Sequence, residues 1–168
     1  MIKTTDKYAF FYTEWPSNFA KAAFDWEYAG EKHRFFCTEQ AFMWAKAMTF
    51  GDVSAAAKIL AADTPSLCKA YGREVENYVE GAWEAVRYGI MRDVNVEKYR
   101  QNPELLGRLT DPAFDGKTFV EASPTDRIWG VGLAQDDPAI EDERNWRGRN
   151  LLGKAITEAR AILSAGAR

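Results

Sequence analysis

An acid and an amine stand seven residues apart in the segment TEQAFMWAKA, residues 38–47. On an α-helix, Glu39 and Lys46 fall within about 20° of each other, two turns and roughly 10 Å apart, so they share one face. The segment is otherwise apolar almost all round, as in buried helices. Because buried charges are costly, the helix either lines a cavity or holds a compensated ion network. In a cavity, desolvation raises the pKa of Glu39 and lowers that of Lys46, which suits proton transfer or amine attack.

The stretch ASPTDRIWGVGL, residues 122–133, gathers a second set of chemically useful residues. Trp129 offers an aromatic face, and Asp126 and Arg127 put a carboxylate and a guanidinium beside it. Gly130 and Gly132 have no Cβ, so the backbone there can approach a ligand closely. These features predict a platform for the planar ring of a nucleotide-like substrate. A tight sheet turn with a neighbouring Asp–Arg pair explains the same residues.

Basic residues near the end of the chain form a third set. GRNLLGKA, residues 148–155, starts like a phosphate-binding loop, but Ala155 stands where Ser or Thr must bind magnesium, and no hydrophobic strand precedes it. We therefore reject a nucleoside triphosphatase. Arg147, Arg149 and the free amides at the start of the last helix remain candidate phosphate ligands, with a solvated loop before a capped helix as the alternative.

Composition excludes several classes of protein. A length of 168 residues fits one domain, and a formal net charge of -3 argues against tight, non-specific binding to nucleic acid or anionic membranes. We see no signal peptide and no membrane span, so we expect a cytoplasmic protein. Cys37, Cys68 and His33 lack the spacing of a metal site, and we predict neither a metal nor a cofactor.

Strand-like patterns cluster near the start of the chain and near residue 120. Residues 8–12 predict a strand, and FDWEY with EKHRFF predict a β-hairpin that turns at Ala29-Gly30. KTFVEA predicts a later strand, IWGVGL a strand or extended loop, and DDPAIEDERNW a solvated acidic loop. We expect a small sheet that brings the N-terminal hairpin near the second half of the chain.

Helical patterns are in the majority, which indicates an α+β fold. Thr38 is the expected N-cap of a helix that ends at Gly51, and Asp52 caps the next one. Thr64-Pro65 begins a helix that ends at Gly72. One or two helices are expected over about 77–100, and further helices over 102–109 and at the end of the chain. The apolar stripe of the first of these consists of Trp83, Val86, Ile90 and Val94.

Several motifs occur in a consistent order along nearly the whole chain. They are SNF at 17–19, TEQAFMWAKA at 38–47, Gly72-Arg73, Trp83, Lys98-Tyr99, Gln101-Asn102-Pro103, VEASPTDRIWGVGL at 120–133 and WRGRNLLG at 146–153. In this combination the chain resembles the NADAR (YbiA-like) N-glycosidases. It departs from them at Gln40-Ala41, where a His-Tyr type pair is expected, and at Tyr99, where phenylalanine is usual. The first departure bears on which base is accepted.

The resemblance implies a single domain over residues 1–168, compact and mainly helical with a small antiparallel sheet. It also implies hydrolysis of an N-glycosidic bond between a ribose and a base. Family members are associated with phosphoribosylamino-pyrimidine intermediates of riboflavin synthesis and with removal of ADP-ribose from modified guanine. The implied partner is a nucleotide-like small molecule, or ADP-ribosylated guanine in a nucleoside or nucleic acid, with no membrane and no obligate protein partner. Arg144, Arg147 and Arg149 around Trp146 hint at an edge that contacts a strand.

Two mechanisms and one competing function follow. Cleavage of a ribosyl C–N bond builds positive charge on the sugar, so Glu39 and Asp126 can serve, in either order, as the stabilising carboxylate and the acid for the base. Alternatively, Lys46 attacks C1 of the ring-opened ribose and forms a Schiff base. The substrate is expected to contact Asn18, Phe19, Arg73, Trp83, Arg127, Trp129, Gly130, Gly132, Arg149 and Asn150. The competing function is a non-catalytic ADP-ribose or nucleotide-binding module.

Overall fold

The structure is a computed structural model that describes residues 1–166. Its helices and short strands confirm the α+β class, with helix in the majority. The chain divides into two compact units, one of residues 1–17 with the chain from residue 104 onward, the other of residues 18–103. A single domain over residues 1–168 stays a prediction.

The first unit contains a three-stranded mixed sheet. Strand β1 (Lys3–Thr4) pairs antiparallel with β2 (Tyr8–Phe11), and β2 pairs parallel with β5 (Thr118–Glu121). Within this unit, β2 therefore links the start of the chain to its second half. Parallel strands are normally buried on both faces, and Ala9, Phe10 and Phe11 are fully buried accordingly.

The first unit also contains two helices and three short 3-10 turns. The helices are α5 (Pro103–Leu109) and α6 (Leu151–Ala165). Each 3-10 turn begins after an aspartate whose carboxylate accepts a backbone N–H two residues later, at Asp111, Asp137 and Asp142. The segment predicted as an acidic loop is thus ordered by its own acidic residues.

The second unit begins with the predicted hairpin. Strands β3 (Lys21–Tyr28) and β4 (Glu31–Cys37) pair antiparallel as a two-stranded sheet. Ala29 and Gly30 both have positive φ, 53° and 81°, as a two-residue hairpin turn of the right twist requires. This prediction is confirmed.

Four helices complete the second unit: α1 (Thr38–Thr49), α2 (Val53–Ala61), α3 (Pro65–Arg73) and α4 (Glu80–Arg100). The N-cap of α1 is Cys37, so Thr38 is the first helical residue and not the cap. On α4, Val86 is 37% exposed, whereas Arg87 is only 5% exposed. The inward position after Trp83 therefore comes four residues later and is taken by an arginine. Over residues 1–166, no helix has both the length and the apolar character that crossing a membrane requires.

Candidate active site

Lys46 lies in the last turn of α1 and is half-buried. Its Nζ donates a hydrogen bond to the backbone carbonyl of Gly72 at 2.8 Å and lies 4.8 Å from the centroid of the Tyr78 ring. Desolvation lowers the pKa of Lys46, while the carboxylates of Glu80 and Glu39 partly oppose this shift. The predicted direction of the Lys46 pKa is confirmed, and a lower pKa makes the neutral, nucleophilic amine more abundant near neutral pH.

The carbonyl that holds Lys46 depends on a close approach between α1 and α3. A Cβ built at Gly72 would lie 2.0 Å from Sδ and 2.8 Å from Cγ of Met43, so any larger residue would force one of the two to shift. Gly72 is in the last turn of α3, where carbonyls without helical partners carry partial negative charge. A helix end thus provides the first polar partner of the amine.

Glu39 lies in the first turn of the same helix and is 8% exposed. Its backbone N–H donates to the carbonyl of Asn18 at 3.1 Å, which brings Asn18 next to the start of α1. The side chain of Asn18 is also buried, and its Oδ1 has no hydrogen-bond donor among the described residues. The second unit therefore gathers a buried acid, a half-buried amine and an unused buried acceptor around one helix.

The other predicted site residues of this unit divide between surface and core. Phe19 and Arg73 are exposed. Trp83 is 5% exposed, and its ring packs against Phe42 and Phe50 with centroids 5.1 and 6.3 Å away. These contacts show that Trp83 packs against two other aromatic rings. Its predicted contact with the substrate stays a prediction.

Asp126, in the first unit, organises the loop that contains it. Its Oδ1 accepts the backbone N–H groups of Ile128 at 2.9 Å and Trp129 at 2.8 Å, and its own N–H donates to Oγ of Ser123 at 3.1 Å. Among residues 1–166, Asp126 forms no ion pair, so the Asp126–Arg127 pair considered from the sequence is absent. One carboxylate oxygen of Asp126 therefore stabilises the loop by accepting backbone hydrogen bonds.

Glycine is required in this loop because the chain packs on itself. A Cβ at Gly130 would lie 2.9 Å from Cβ of Ser123 and 3.0 Å from the carbonyl oxygens of Glu121 and Asp126. Gly132 has a φ of +71°, in the left-handed region that favours glycine. These requirements are internal to the fold, and close approach of either glycine to a ligand stays a prediction.

The first amides of α6 are not free, which corrects the phosphate site proposed there. The N–H groups of residues 149–152 donate to the carbonyls of Arg127, Gly130, Ile128 and Trp129 at 2.9–3.1 Å. Because these donors are satisfied inside the protein, they offer no anion site. Any phosphate contact at this end of the chain depends on side chains.

Asn150 has a structural role at the same place. It is fully buried and adopts left-handed φ and ψ of 53° and 39°. Its Oδ1 accepts from the N–H of Glu121 at 3.0 Å, and its Nδ2 donates to the carbonyl of Phe119 at 2.9 Å. The side chain of Asn150 therefore joins α6 to β5. Its predicted contact with the substrate stays a prediction.

Comparison with known proteins decides the family. A family profile described as "NADAR domain" matches residues 2–164. The chain belongs to the NADAR family. The NADAR chain is 35% identical over 169 residues to "N-glycosidase R617" of Acanthamoeba polyphaga mimivirus, an alignment covering 93% of this chain and 96% of the relative. It is 39% identical to "Protein irg-1" of Caenorhabditis elegans over 77% of this chain and 61% of that protein.

A solved structure gives the same result for the fold. The NMR structure of the Escherichia coli protein YbiA matches 99% of the NADAR chain and 90% of its own, with a TM-score of 0.73 and 24% identity. This likeness confirms the predicted YbiA-like fold. With the family and the related N-glycosidase, the prediction of an enzyme of the N-glycosidase class is confirmed as well.

Two residues that matter in the NADAR chain, Tyr78 and Glu80, were missed from the sequence, and Gln40 has a structural role besides the one predicted for it. The hydroxyl of Tyr78 donates to Glu80 at 2.6 Å; Tyr78 acts on Lys46 from the loop before α4, and Glu80 acts from the first turn of α4. No local signal marks them, because their link to α1 is tertiary. Gln40, expected to influence base choice, is buried and has its amide bonded to the backbone of Phe36 and Ile59. It therefore ties the hairpin to α2.

Metal and thiol chemistry find no support in the part of the NADAR chain that is described. Residues 1–166 contain no group of three or more His, Cys, Asp and Glu side chains able to hold a metal ion. Cys37 and Cys68 are buried free thiols, and burial raises their pKa values to about 11 and about 12. Both are protonated near neutral pH and are therefore poor nucleophiles.

Proposed function

We propose that this NADAR chain hydrolyses the N-glycosidic bond between a ribose and a base, with ADP-ribosylated guanine or a phosphoribosylamino-pyrimidine as substrate. The observation that carries the proposal is Lys46, an amine with a lowered pKa that shares one helix face with the buried Glu39. A half-buried amine of this kind is unusual for a merely structural helix, and it matches the chemistry of a sugar C1.

The amine route accounts best for these features. The C1–O4 bond of the furanose breaks, O4 takes up a proton, and C1 becomes the carbon of an iminium to the base nitrogen. Neutral Nζ of Lys46 then adds to C1, and the base leaves with the electron pair of the C–N bond, taking up the proton that Nζ loses. Water then adds to the resulting Schiff base, releasing the amine and the sugar aldehyde. Glu39 is suited to carry the proton that the base needs, because it is a buried acid near the same helix.

Direct attack by water is the alternative within the same activity. Water bonds to C1 as the C–N bond breaks, and a carboxylate stabilises the positive charge that develops on the sugar. Here Glu39 and Asp126 share the two carboxyl roles, and Lys46 only positions the substrate. A catalytic role for Asp126 is part of the proposal under either route.

Substrate positioning is assigned to one buried acceptor, one tryptophan ring and three exposed side chains. The buried Oδ1 of Asn18 is available to accept a hydrogen bond from a sugar hydroxyl, next to the start of α1. Trp129 is proposed to stack on the base. Phe19, Arg73 and Arg127 are proposed as outer contacts, since all three are exposed. The cytoplasmic location stays a prediction.

Release of free base from two substrates tests the function. The full chain is incubated in parallel with ADP-ribosyl-guanosine and with a phosphoribosylamino-pyrimidine, and liberated base is measured by chromatography. Glu39→Gln and Asp126→Asn should each lower turnover by about a hundredfold, while the surface variant Glu104→Gln should match wild type. Binding of both ligands without release of either base would contradict the enzyme and favour a non-catalytic binding module.

A further inference from the structure

Ion pairing separates the arginines of this protein into two groups. Most of those in residues 1–166 have a carboxylate within 4.0 Å: Arg34, Arg87, Arg92, Arg100, Arg108, Arg144 and Arg160. Four have none, namely Arg73, Arg127, Arg147 and Arg149. Three of these four lie together in the first unit, and all three are exposed.

The backbone holds Arg127, Arg147 and Arg149 close to one another. The N–H of Arg149 donates to the carbonyl of Arg127 at 2.9 Å. A Cβ built at Gly132 would lie 3.0 Å from Cβ of Arg147 and 3.4 Å from Cγ of Arg127, so the stems of these two side chains flank one glycine. Gly148, between two of the arginines, is packed against the backbone of Arg127.

Leaving three like charges together is unfavourable in a protein that could neutralise them. The chain has 25 acidic residues and a net charge of -3, yet the nearest acid in sequence, Asp126, uses one carboxylate oxygen to bind backbone amides. Like charges at close range repel, so such a cluster is retained at a cost in stability. An anionic ligand removes that repulsion when it binds.

The anion must be recognised by these side chains alone. The N–H groups of residues 149–152, at the start of α6, already donate to the carbonyls of residues 127–130, so these four amides are not available to an anion. A guanidinium presents paired N–H groups that fit two phosphate oxygens at once. A phosphate monoester offers three terminal oxygens on a single phosphorus atom. Three guanidiniums suit the four terminal oxygens of a diphosphate, spread over two phosphorus atoms.

We propose that Arg127, Arg147 and Arg149 form one binding surface for a diphosphate, the group that joins the two halves of ADP-ribose. This deepens the proposed function, on which it rests for the choice of substrate, by favouring an ADP-ribosyl group over a monophosphate sugar. The set adds Arg147 to Arg127 and Arg149, two of the arginines already predicted to contact the substrate. It also distinguishes these three from Arg144, whose charge is already met by Asp142.

Calorimetric titration with two ligands tests the surface. ADP-ribose carries the diphosphate, and ribose 5-phosphate carries one phosphate. Arg127→Gln, Arg147→Gln and Arg149→Gln should each weaken ADP-ribose binding about fivefold or more, and the Arg147/Arg149 pair by at least about twentyfold. Binding of ribose 5-phosphate should change by less than about twofold to threefold. Arg144→Gln is the matched control, an exposed arginine of the same segment that should leave both affinities unchanged.

Three results would overturn the inference. One is unchanged ADP-ribose affinity in the Arg147/Arg149 double variant, verified as folded by circular dichroism. Another is equal weakening of both ligands, which would mean a monophosphate site. The third is binding of an unmodified single-stranded oligonucleotide as tightly as ADP-ribose with the same arginine dependence, which would mean that the surface reads a nucleic-acid backbone.

The proposed function and the diphosphate-binding surface can be disproved independently of each other. If wild type releases no base but binds ADP-ribose through the three arginines, the enzyme activity is wrong and the diphosphate surface stands. If wild type releases base and the arginine variants bind ADP-ribose as well as wild type does, the surface alone is wrong.

Discussion

The ammonium group of Lys46 lies 4.8 Å from the centre of the Tyr78 ring, whose hydroxyl is fixed by a 2.6 Å hydrogen bond to Glu80. A cation above an aromatic face is stabilised by the ring's quadrupole. The same face would stabilise the positively charged Schiff base formed on Lys46, because the charge stays on the same nitrogen. Tyr78 is therefore a positioning residue for the amine.

Replacing Tyr78 tests this relationship. Tyr78→Leu removes the aromatic face and should lower kcat by about threefold to tenfold with little change in KM, whereas Tyr78→Phe keeps the face and should stay within about twofold of wild type. Nuclear magnetic resonance adds a readout of position, since the ring shifts the Lys46 side-chain protons upfield only while it covers them. Tyr71→Leu, which removes a ring 6.0 Å from Lys58, is the control. Unchanged Lys46 resonances in Tyr78→Leu would refute the placement.

Glu80 should tune the pH dependence of the reaction. Its carboxylate raises the pKa of Lys46 against the larger lowering effect of burial. Glu80→Gln removes that contribution, so the pKa of Lys46 falls further and neutral amine forms at lower pH. The ascending limb of the kcat profile should move to lower pH, as measured with saturating substrate across the alkaline range. A shift to higher pH, or none, would show that Glu80 does not act on this amine.

Gly72 should be required for activity because of Met43. In Gly72→Ala the new methyl group collides with Sδ and Cγ of Met43, so the Met43 side chain or α3 must shift, and a shift of α3 moves the carbonyl bound by Lys46. We expect a loss of about tenfold or more in kcat. The control is Gly89→Ala in α4, where the nearest atom to the new Cβ is 3.8 Å away and the helix should gain about 0.5–1 kcal/mol of stability. Wild-type turnover in a folded Gly72→Ala variant would contradict this account of Lys46.

The sequence predicts local elements of this protein better than long-range contacts. The hairpin at Ala29-Gly30 and the helix that carries Glu39 and Lys46 follow from short-range patterns, and both are present. The parallel pairing of β2 with β5 joins segments about a hundred residues apart, and no local pattern encodes it. The same reason explains why the Gly72 carbonyl and the Tyr78 ring were not anticipated as partners of Lys46.

The start of α6 shows a second limit of prediction from the sequence. A helix N-terminus offers free amides only if nothing else in the fold uses them, and here carbonyls of the 127–130 segment do. The arginines around it were singled out as candidates from the sequence, and their role stays a prediction. Which of them lack carboxylate partners depends on side-chain placement, which residue order alone does not specify.

Lys98 should make the stability of the protein depend on pH. It is fully buried, and desolvation lowers its pKa to about 7 against a weaker opposing effect of Cys37. Between pH 7 and the pKa of an unfolded lysine, the unfolded chain holds a proton that the folded chain lacks. The free energy of unfolding should therefore rise with pH across that window, by up to about 1.4 kcal/mol per pH unit. Below pH 7, both states are protonated and the cost of burying the charge is fully present.

Lys98→Met removes this dependence. The variant should be more stable than wild type at pH 6 and should lose the rise in stability above pH 7, as measured by urea unfolding at several pH values. Lys154→Met, at an exposed position of α6, is the control and should keep the wild-type pH profile. A Lys98→Met profile that still rises with pH like wild type would assign the dependence to other groups.

Trapping the amine tests the central claim most directly. Wild-type protein is mixed with ADP-ribosyl-guanosine and sodium borohydride, digested and analysed by peptide mass spectrometry. We predict a reduced sugar adduct on Lys46, its absence in Lys46→Arg, and loss of base release in that variant. No adduct on Lys46 in wild type, together with wild-type base release by Lys46→Arg, would contradict the account.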